Sequence, residues 1–554
     1  MAKDKEVKHW ADQIADEAIA RVESDPFLQE VVKKTGYFVY DEKTPSGLIH
    51  IGSGRGWVIH DAIAKALRSK GVDAKFVLSS DDMDPLDKPS KLLTEDENER
   101  YLGVPFKYIP SPKPGYDSFG DYYFKLCTDK FEEFGIVCEL ESTGAEYEKG
   151  TFNKQIKIIL DNADKVKKIF ADLYGDDVGA ANKLPFNVRC PKCGKIATTK
   201  ALEWDTEKEE IKFECKDGVV AWAKGCNESG WISPYNGNGK FPWKVEWAAK
   251  WPAKGVIVET AGKDHFTKGG SRTVACRICV DVLNYPPPYP SKGYYTGPGY
   301  EFFTVGGKKM STSKGRGIGF ANSTSIAPAP MLRFLLVRTR PNAVIDFDPY
   351  GTNDIVLLYE RYDKAERAYF GEEDFGEKDN IKLKRIYELS YIGKIPDRIP
   401  PQFSLRHAST LLQIYEEIDD VIKNLQESGH VYKDASKQEI EYVKERLLFA
   451  KKWIDEFAPE DYKFELQKKV PDVELNDKQR QALKILAEKL KHGKWTEQTL
   501  YNEFYTICRD EVDIPTGEFF QAAYKVLLNK ERGPKLAGFL LLVREKAVKL
   551  FDAV

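Results

Sequence analysis

The chain has no run of about 18 apolar residues, so nothing in it suggests a membrane span. It has no marked excess of either charge: 84 Lys and Arg stand against 87 Asp and Glu, a formal net charge of −3. That balance neither supports nor refutes RNA binding, because a local basic face is enough. No N-terminal apolar stretch resembles a signal peptide; Met1-Ala-Lys-Asp-Lys-Glu-Val-Lys8 is charged. No repeat of fixed period points to a solenoid. Cysteine is sparse and uneven: of nine, four fall between residues 190 and 226. In an intracellular chain such clustering reads as metal before disulfide. A cytoplasmic protein with no membrane association is expected.

What is present is a long, soluble, globular chain. Its 554 residues argue for several domains rather than one core, and 42% hydrophobic with 31% charged residues argues against disorder. Residues 1–110 alternate strand and helix, the first half of a doubly wound nucleotide fold, with strands at Tyr37-Phe-Val-Tyr40 and Val72–Leu78. Residues 111–240 read as an insertion holding helices and the cysteine cluster. Alternation resumes over 241–345, with a strand near Gly255–Thr260 and a helix through Cys276 and Val282. Residues 346–554 are almost wholly helical: Leu411, Leu412, Ile414, Tyr415, Ile418, Val421, Ile422 and Leu425 repeat at helix spacing, as do Ala482, Leu483, Leu486, Ala487 and Leu490.

The most informative stretch is Thr44-Pro-Ser-Gly-Leu-Ile-His-Ile-Gly-Ser-Gly-Arg-Gly56. It lies between an apolar strand and an apolar-periodic helix. A helix opening under glycine backbone offers unpaired N–H groups and the positive end of its dipole to an anion. A histidine in that turn can donate to a phosphate oxygen. A second candidate phosphate loop follows at Gly306-Gly-Lys-Lys-Met-Ser-Thr-Ser-Lys-Gly-Arg-Gly317. Activating a carboxylic acid with ATP needs an in-line carboxylate, a neutralised pyrophosphate and exclusion of water, which is mostly positioning and charge.

His50-Ile-Gly-Ser53 resembles the HIGH signature of class I aminoacyl-tRNA synthetases, and Lys309-Met-Ser-Thr-Ser313 resembles their KMSKS signature. His9-Trp-Ala-Asp12, Ser80-Asp-Asp-Met-Asp84, Pro242-Trp-Lys-Val-Glu-Trp247 and Gly262-Lys-Asp-His265, followed by Lys268-Gly-Gly-Ser271, look like the class I lysyl-tRNA synthetase family, from the first helix to the last. The resemblance implies a Rossmann-type α/β catalytic domain, a connective insertion and an all-α anticodon-binding domain. It implies a lysine–tRNA ligase: ATP and lysine give lysyl-adenylate and pyrophosphate, and the lysyl group moves to the 3′ end of tRNA(Lys). It makes His50 and Lys309 catalytic. It sets ATP, with Mg²⁺, against Pro45, Gly47, His50, Gly52, Ser53, Lys309, Met310, Ser311, Thr312 and Ser313. It places lysine against Trp243 and His265, with Thr44 near the α-amino group and Tyr300 as a further candidate. Ser53 stands where the signature has a second histidine, and Thr312 where it often has a second lysine; Lys308 and Lys314 flank that position.

A lysine pocket needs an acid or an aromatic face for the ammonium. Asp81, Asp82, Asp84, Asp264 and Glu301 are near the expected loops, and no one of them is singled out. Cys190-Pro-Lys-Cys193 is a metal-binding knuckle, and Cys215 and Cys226 complete four ligands for one structural zinc ion; the alternative is free buried thiols. Cys276-Arg-Ile-Cys279 lies in an apolar helix and reads as core. Residues 85–126 hold no His or Cys, so a single zinc is expected. Lys and Arg interleave with aromatics after residue 360 without identifying anticodon readers. The expected state is a monomer. The rivals are a glutamyl-like class I ligase, which would want arginines in its pocket, and a non-catalytic RNA-binding paralogue, favoured only by Ser53 and Thr312.

Overall fold

The computed structural model describes residues 7–176, 179, 183–309 and 318–554. They form two compact units, one of residues up to 347 together with 373–395, the other of 348–372 together with 396–554.

The first unit begins with α1 (Trp10–Glu23) and α2 (Pro26–Thr35), which Asp25 caps by accepting from Phe27 N. It continues through β1 (Tyr37–Lys43), α3 (Ile51–Ser69), β2 (Ala74–Ser80), β3 (Glu139–Ser142) and α4 (Ala163–Tyr174). An antiparallel ribbon follows, of β4 (Thr199–Asp205), β5 (Glu210–Cys215) and β6 (Ser229–Ile232). Then come α5 (Trp243–Lys254), β7 (Val256–Val258) and α6 (Ser271–Asp281). The last elements of the unit are β8 (Phe303–Val305), β9 (Lys308–Lys309), α7 (Ala329–Arg338), β10 (Ile345–Asp346) and α8 (Glu377–Ser390).

The main sheet is parallel, in the order β3-β2-β1-β7. Its central strand opens with four fully buried residues, Tyr37 to Tyr40, as a parallel strand covered on both faces requires. The chain runs outward from β1 to β3 and then crosses back to lay β7 on the other side of β1. That reversal opens a crevice at the carboxyl ends of β1 and β7, where ligands collect in such folds. This is the α/β parallel-sheet architecture expected from the strand and helix alternation. Cys276 and Cys279 of α6 are buried in the core beneath it.

Gly306 and Gly307, at φ of +56° and +73°, turn β8 into β9. Two successive positive φ angles make the tight turn that suits a two-residue hairpin, and they need glycine. The Asp346 carboxylate accepts from Gly307 N at 2.9 Å and from Thr304 Oγ1 at 2.8 Å, which fixes the hairpin on β10.

His9, Trp10 and Asp12 have structural work. His9 Nε2 and Trp10 Nε1 donate to Val337 O at the end of α7, and Asp12 accepts from Nε and Nη2 of Arg385 of α8, at 2.9 and 2.7 Å. Burial pushes the His9 imidazole down to about 4, which keeps it neutral. Asp61 of α3 and Arg333 of α7 pair at 2.6 Å with no exposed side-chain surface.

The second unit is helical, with a core that includes Leu483, Leu486, Phe504, Phe519, Leu540 and Phe551. Arg446 grips Asp363 through two bonds of 2.8 and 2.9 Å. The periodic run from Leu411 to Leu425 is two helices, Leu405–Leu412 and Ile418–Glu427. Between them the Gln413 side chain donates to Tyr462 O and accepts from Phe464 N, a tertiary tie that the apolar spacing does not reveal. Among the described residues no helix is long and apolar enough to cross a membrane.

Removing one partner of the Asp61–Arg333 pair strands a buried charge. Arg333→Met lowers unfolding free energy by about 3–5 kcal/mol in urea titrations. Asp61 is held below its ordinary 3.8 despite burial, by Arg333 and Lys65. Its folded pKa lies below its unfolded one, so its contribution is present above about pH 4 and disappears on acidification through the folded pKa. Asp61→Asn removes that part of the acid dependence; an unchanged acid limb counts against it.

Candidate active site

His50 is the residue that opens α3, in extended backbone geometry with no side-chain cap. Its neighbours pair with the chain that leaves the second loop. Ile51 N donates to Ile318 O, and Phe320 N donates to Ile49 O. The entry to that loop is the β8–β9 hairpin. The two glycine-rich segments are therefore joined by backbone bonds on the exit side. Met310, Ser311, Thr312, Ser313 and Lys314 lie outside the described residues.

Lys309 closes the hairpin, 3.1 Å from Asp264 and with Nζ 3.7 Å from the centre of the Phe302 ring. Burial, Lys43 and Lys309 together hold the His50 pKa below its ordinary value, and its Nδ1 is buried with no protein partner. The N-terminus of α3, His50, Lys43 and Lys309 thus make one electropositive corner. Lys43 makes no ion pair within 4 Å among the described residues, and its burial lowers its pKa. Gly52 and Ser53 lie in the first turn of α3, Pro45 is buried, and nothing comes within 4 Å of a Cβ built on Gly47.

Beside that corner is a cavity of about 250 Å³ at the β1–β7 crevice, lined among others by Asp41, Thr44, Ser53, Trp243, His265 and Tyr300. Trp243 and Trp247, one turn apart on α5, stack at 5.3 Å, and the His265 ring sits 5.4 and 5.6 Å from them. Burial lowers the His265 pKa, so it adds a neutral ring. Tyr300 is held beside β7 by Tyr300 N donating to Ala261 O and Lys263 N donating to Tyr300 O. A Cβ on Gly56 would lie 2.6 Å from the Tyr300 hydroxyl and 3.1 Å from Asp41 Oδ2. Both groups therefore rest against bare helix backbone.

The acids flagged in the sequence are mostly committed. Asp81 takes Lys250 at 2.5 Å; Asp84 takes Lys240 at 2.6 Å and the Thr44 hydroxyl at 2.9 Å. Asp82 accepts from Gly144 N and Ser142, with burial pushing it up to about 6. Glu301 pairs with Lys263 at 2.6 Å and Asp264 with Lys309. Three further carboxylates line the cavity, Asp41, Glu42 and Glu259. Glu42 is bound to Lys250 at 2.6 Å, and Glu259 accepts from Trp247 Nε1 at 2.7 Å and from Trp251, with Arg272 3.8 Å away. Burial pushes Glu259 up to about 7.

Asp41 is different. It lines the cavity, its Oδ1 accepts from Glu42 N, and its Oδ2 faces His60 Nδ1 at 3.2 Å. It has acceptor capacity left for a ligand. The sequence signal was there: Asp41-Glu42-Lys43 is a charged run at the carboxyl end of an apolar strand, directly before the glycine turn.

Cys190, Cys193, Cys215 and Cys226 bring their four sulfurs within 4.8 Å of one another, with Cys190–Cys226 at 3.6 Å and Cys193–Cys215 at 3.7 Å. A tetrahedron of sulfurs about 2.3 Å from a zinc ion has edges near 3.8 Å, so the donor set fits that ion.

A family model described as tRNA synthetases class I (K) matches residues 8–393. A curated Lysine--tRNA ligase of Methanocaldococcus jannaschii is 33% identical over 550 residues, covering 96% of this chain and 97% of that one. Another, of Pyrococcus horikoshii, is 31% identical over 539 residues, with 96% and 97% covered. Among solved structures, a glutamate tRNA ligase from Elizabethkingia meningosepticum aligns over 93% of this chain and 98% of its own at 11% identity, with a TM-score of 0.39.

The close approach at Gly56 gives a direct check. Gly56→Ala forces Tyr300 or Asp41 to shift and lowers stability by about 1–3 kcal/mol in urea or thermal unfolding. Gly47→Ala, which meets open space, stays within about 0.5 kcal/mol. Equal effects at the two positions contradict the packing described.

Proposed function

The chain belongs to the class I tRNA synthetases (K), and from that premise we propose that it is a lysine–tRNA ligase, activating lysine with ATP and transferring it to the 3′ end of tRNA(Lys). The observation that carries the reading is the single crevice in which an electropositive corner adjoins an acidic, aromatic cavity. The corner suits a triphosphate and the cavity suits an alkyl ammonium.

In this reading the lysine ε-ammonium meets Asp41 and the Tyr300 hydroxyl. Its methylene chain lies among Trp243, Trp247 and His265. Thr44 is beside the α-amino group. The carboxylate turns toward the N-terminus of α3. One carboxylate oxygen attacks the α-phosphorus of ATP, and the bond to the departing pyrophosphate breaks. His50, Lys43, Lys309 and the helix N–H groups neutralise the growing charge, with Mg²⁺ arriving on the nucleotide. Pro45, Gly47, Gly52, Ser53 and the segment from Met310 to Ser313 complete the ATP contacts. A ribose hydroxyl of the tRNA then attacks the acyl carbonyl and AMP leaves. No covalent bond to the protein is needed. Arg272, which stacks near Trp247, is committed to Glu259, Ser291 and Pro288 O, and no arginine among the described residues lines the cavity for a glutamate side chain.

The four cysteines hold one structural zinc ion, which closes the ribbon β4–β6; residues 139–142 of the segment read as an insertion are β3 of the main sheet, so the connective domain begins after them. Four protein ligands leave no open position for catalysis. The helical unit binds the anticodon.

Lysine-dependent ATP–pyrophosphate exchange is the test. Exchange with lysine and not with the other amino acids is expected; its absence with lysine overturns the reading. Lys309→Ala lowers exchange by about 100-fold or more. Asp41→Asn raises KM for lysine by about tenfold with a smaller change in kcat; an unchanged KM removes Asp41 from the ammonium site.

Elemental analysis of the purified chain finds one zinc per molecule. Cys190→Ser with Cys193→Ser abolishes it and lowers the thermal midpoint. A metal-free parent of full stability contradicts the assignment.

A further inference from the structure

Two opposite charges at the carboxyl end of β1 line the cavity without pairing with each other, Asp41 and Lys43. Side chains alternate along a strand, so these two share one face. Glu42 between them turns to Lys250. The Lys43 backbone is fixed, since its carbonyl accepts from Asp81 N at 3.0 Å. Its ammonium is held by no hydrogen bond or ion pair among the described residues, although it borders the cavity.

The place of that ammonium is as informative as its freedom. Beyond burial, its charge helps to hold down the His50 pKa in the phosphate corner and the His265 pKa in the cavity wall. Lys43 therefore stands between the space that suits a triphosphate and the space that suits an alkyl ammonium. A carboxylate that attacks the α-phosphorus must lie between those same two spaces. The spacing along the strand fits as well. Residues two apart on a strand are about 6.6 Å apart, and an extended lysine spans roughly 6 Å from Cα to ammonium at ordinary bond lengths. With the ammonium at Asp41, the carboxylate falls beside Lys43. A buried cation without a counterion costs stability, and an anionic group on the ligand offsets that cost.

We propose that Lys43 binds the α-carboxylate of the lysine substrate, so that Asp41 and Lys43 gauge the amino acid from one strand by the charge at its two ends and the length between them. The assignment rests on the ligase reading of the preceding subsection. It adds the residue that holds the attacking group and the spacing that rejects a shorter diamino acid.

Lys43→Met keeps the length of the side chain and removes its charge; Lys43→Arg keeps the charge. Equilibrium binding to the full chain is measured for lysine, for lysinol, in which a hydroxymethyl group replaces the carboxylate, for ornithine and for ATP. The parent binds lysine about tenfold or more tightly than lysinol. Lys43→Met binds the two alike, through weaker binding of lysine with lysinol within about twofold of the parent, and Lys43→Arg restores part of the preference. Ornithine, one methylene shorter, binds the parent about tenfold more weakly than lysine. In lysine-dependent exchange, Lys43→Met raises KM for lysine more than it lowers kcat. Its thermal midpoint without ligand is at or above that of the parent, because a buried charge without a partner is gone, and this also reports an intact fold. Equal weakening toward lysine and lysinol overturns the proposal. So does a loss confined to ATP, which puts the cation on the phosphates, and so does equal binding of ornithine and lysine by the parent. A parent that separates lysine from lysinol, with the separation lost in Lys43→Met, yet catalyses no exchange refutes the ligase reading and leaves Lys43 at the carboxylate.

Discussion

The site depends on two buried lysines. Lys250 is bound to Glu42, Asp81 and Glu246, and Lys240 to Asp84 and Glu246, both lysines with little or no exposed side-chain surface. Buried charges are tolerated only when geometry and extra hydrogen bonds offset desolvation. Here the surrounding carboxylates carry the Lys250 pKa well above its ordinary value against burial. The network locks the segment from residue 240 through α5 onto the carboxyl ends of β1 and β2. That segment carries Trp243 and Trp247 one helical turn apart, so the charge network sets where the aromatic walls stand. Asp41, Glu42, Asp81 and Glu259 line the cavity, and of these Asp41 alone has no lysine or arginine partner within 4 Å among the described residues, so a cationic ligand finds its acceptor there.

A second constraint joins the halves of the phosphate corner. Arg55, fully buried in α3 two residues after Ser53, donates to five backbone carbonyls: Glu301, Phe302, Arg340, Pro341 and Ala343. No carboxylate pairs with it among the described residues, and burial lowers it to about 10. A guanidinium is suited to such a role because its planar fork reaches several acceptors at once. The carbonyls it gathers flank Tyr300 and the β8–β9 hairpin with Lys309. With the bonds from Ile318 and Phe320 to the His50 turn, this fixes the described flanks of the second loop against α3.

The parallel strands and the switch point were legible because their signals are local. Tyr37 to Tyr40 is an unbroken apolar run, and a glycine turn follows it. The four cysteines were legible because knuckle spacing implies convergence. Asp41 and Lys43 were not picked out, since a charged run at a strand end looks like any solvated turn until β7 arrives beside it. The sequence singled out no acid of the acidic turn: Asp81 and Asp84 are bound to lysines more than 150 residues away, and Asp82 holds the backbone that follows β3. The break at Gln413 was hidden for the same reason. Side-chain ties between distant segments leave no periodicity. The segment from Met310 to Ser313, read as half of the ATP site, lies outside the described residues and stands on the sequence.

Asp41 keeps its acceptor capacity through the state of one histidine. His60 is fully buried, and its Nε2 accepts the Thr260 N–H at 3.0 Å at the end of β7. That bond requires the imidazole proton to sit on Nδ1, which faces Gly56 O at 2.8 Å and Asp41 at 3.2 Å. Burial pushes the His60 pKa down, and Asp41 with Gly56 O carries it back above the ordinary value. The tautomer of the neutral ring therefore follows from the hydrogen bond on the opposite nitrogen. A lysine in that place would satisfy Asp41 as Lys250 satisfies Glu42, and the cavity would lose its available carboxylate. The crossover that sets β7 against β1 thus supplies a wall of the crevice and, through Thr260, turns the Nδ1 proton of His60 toward Asp41.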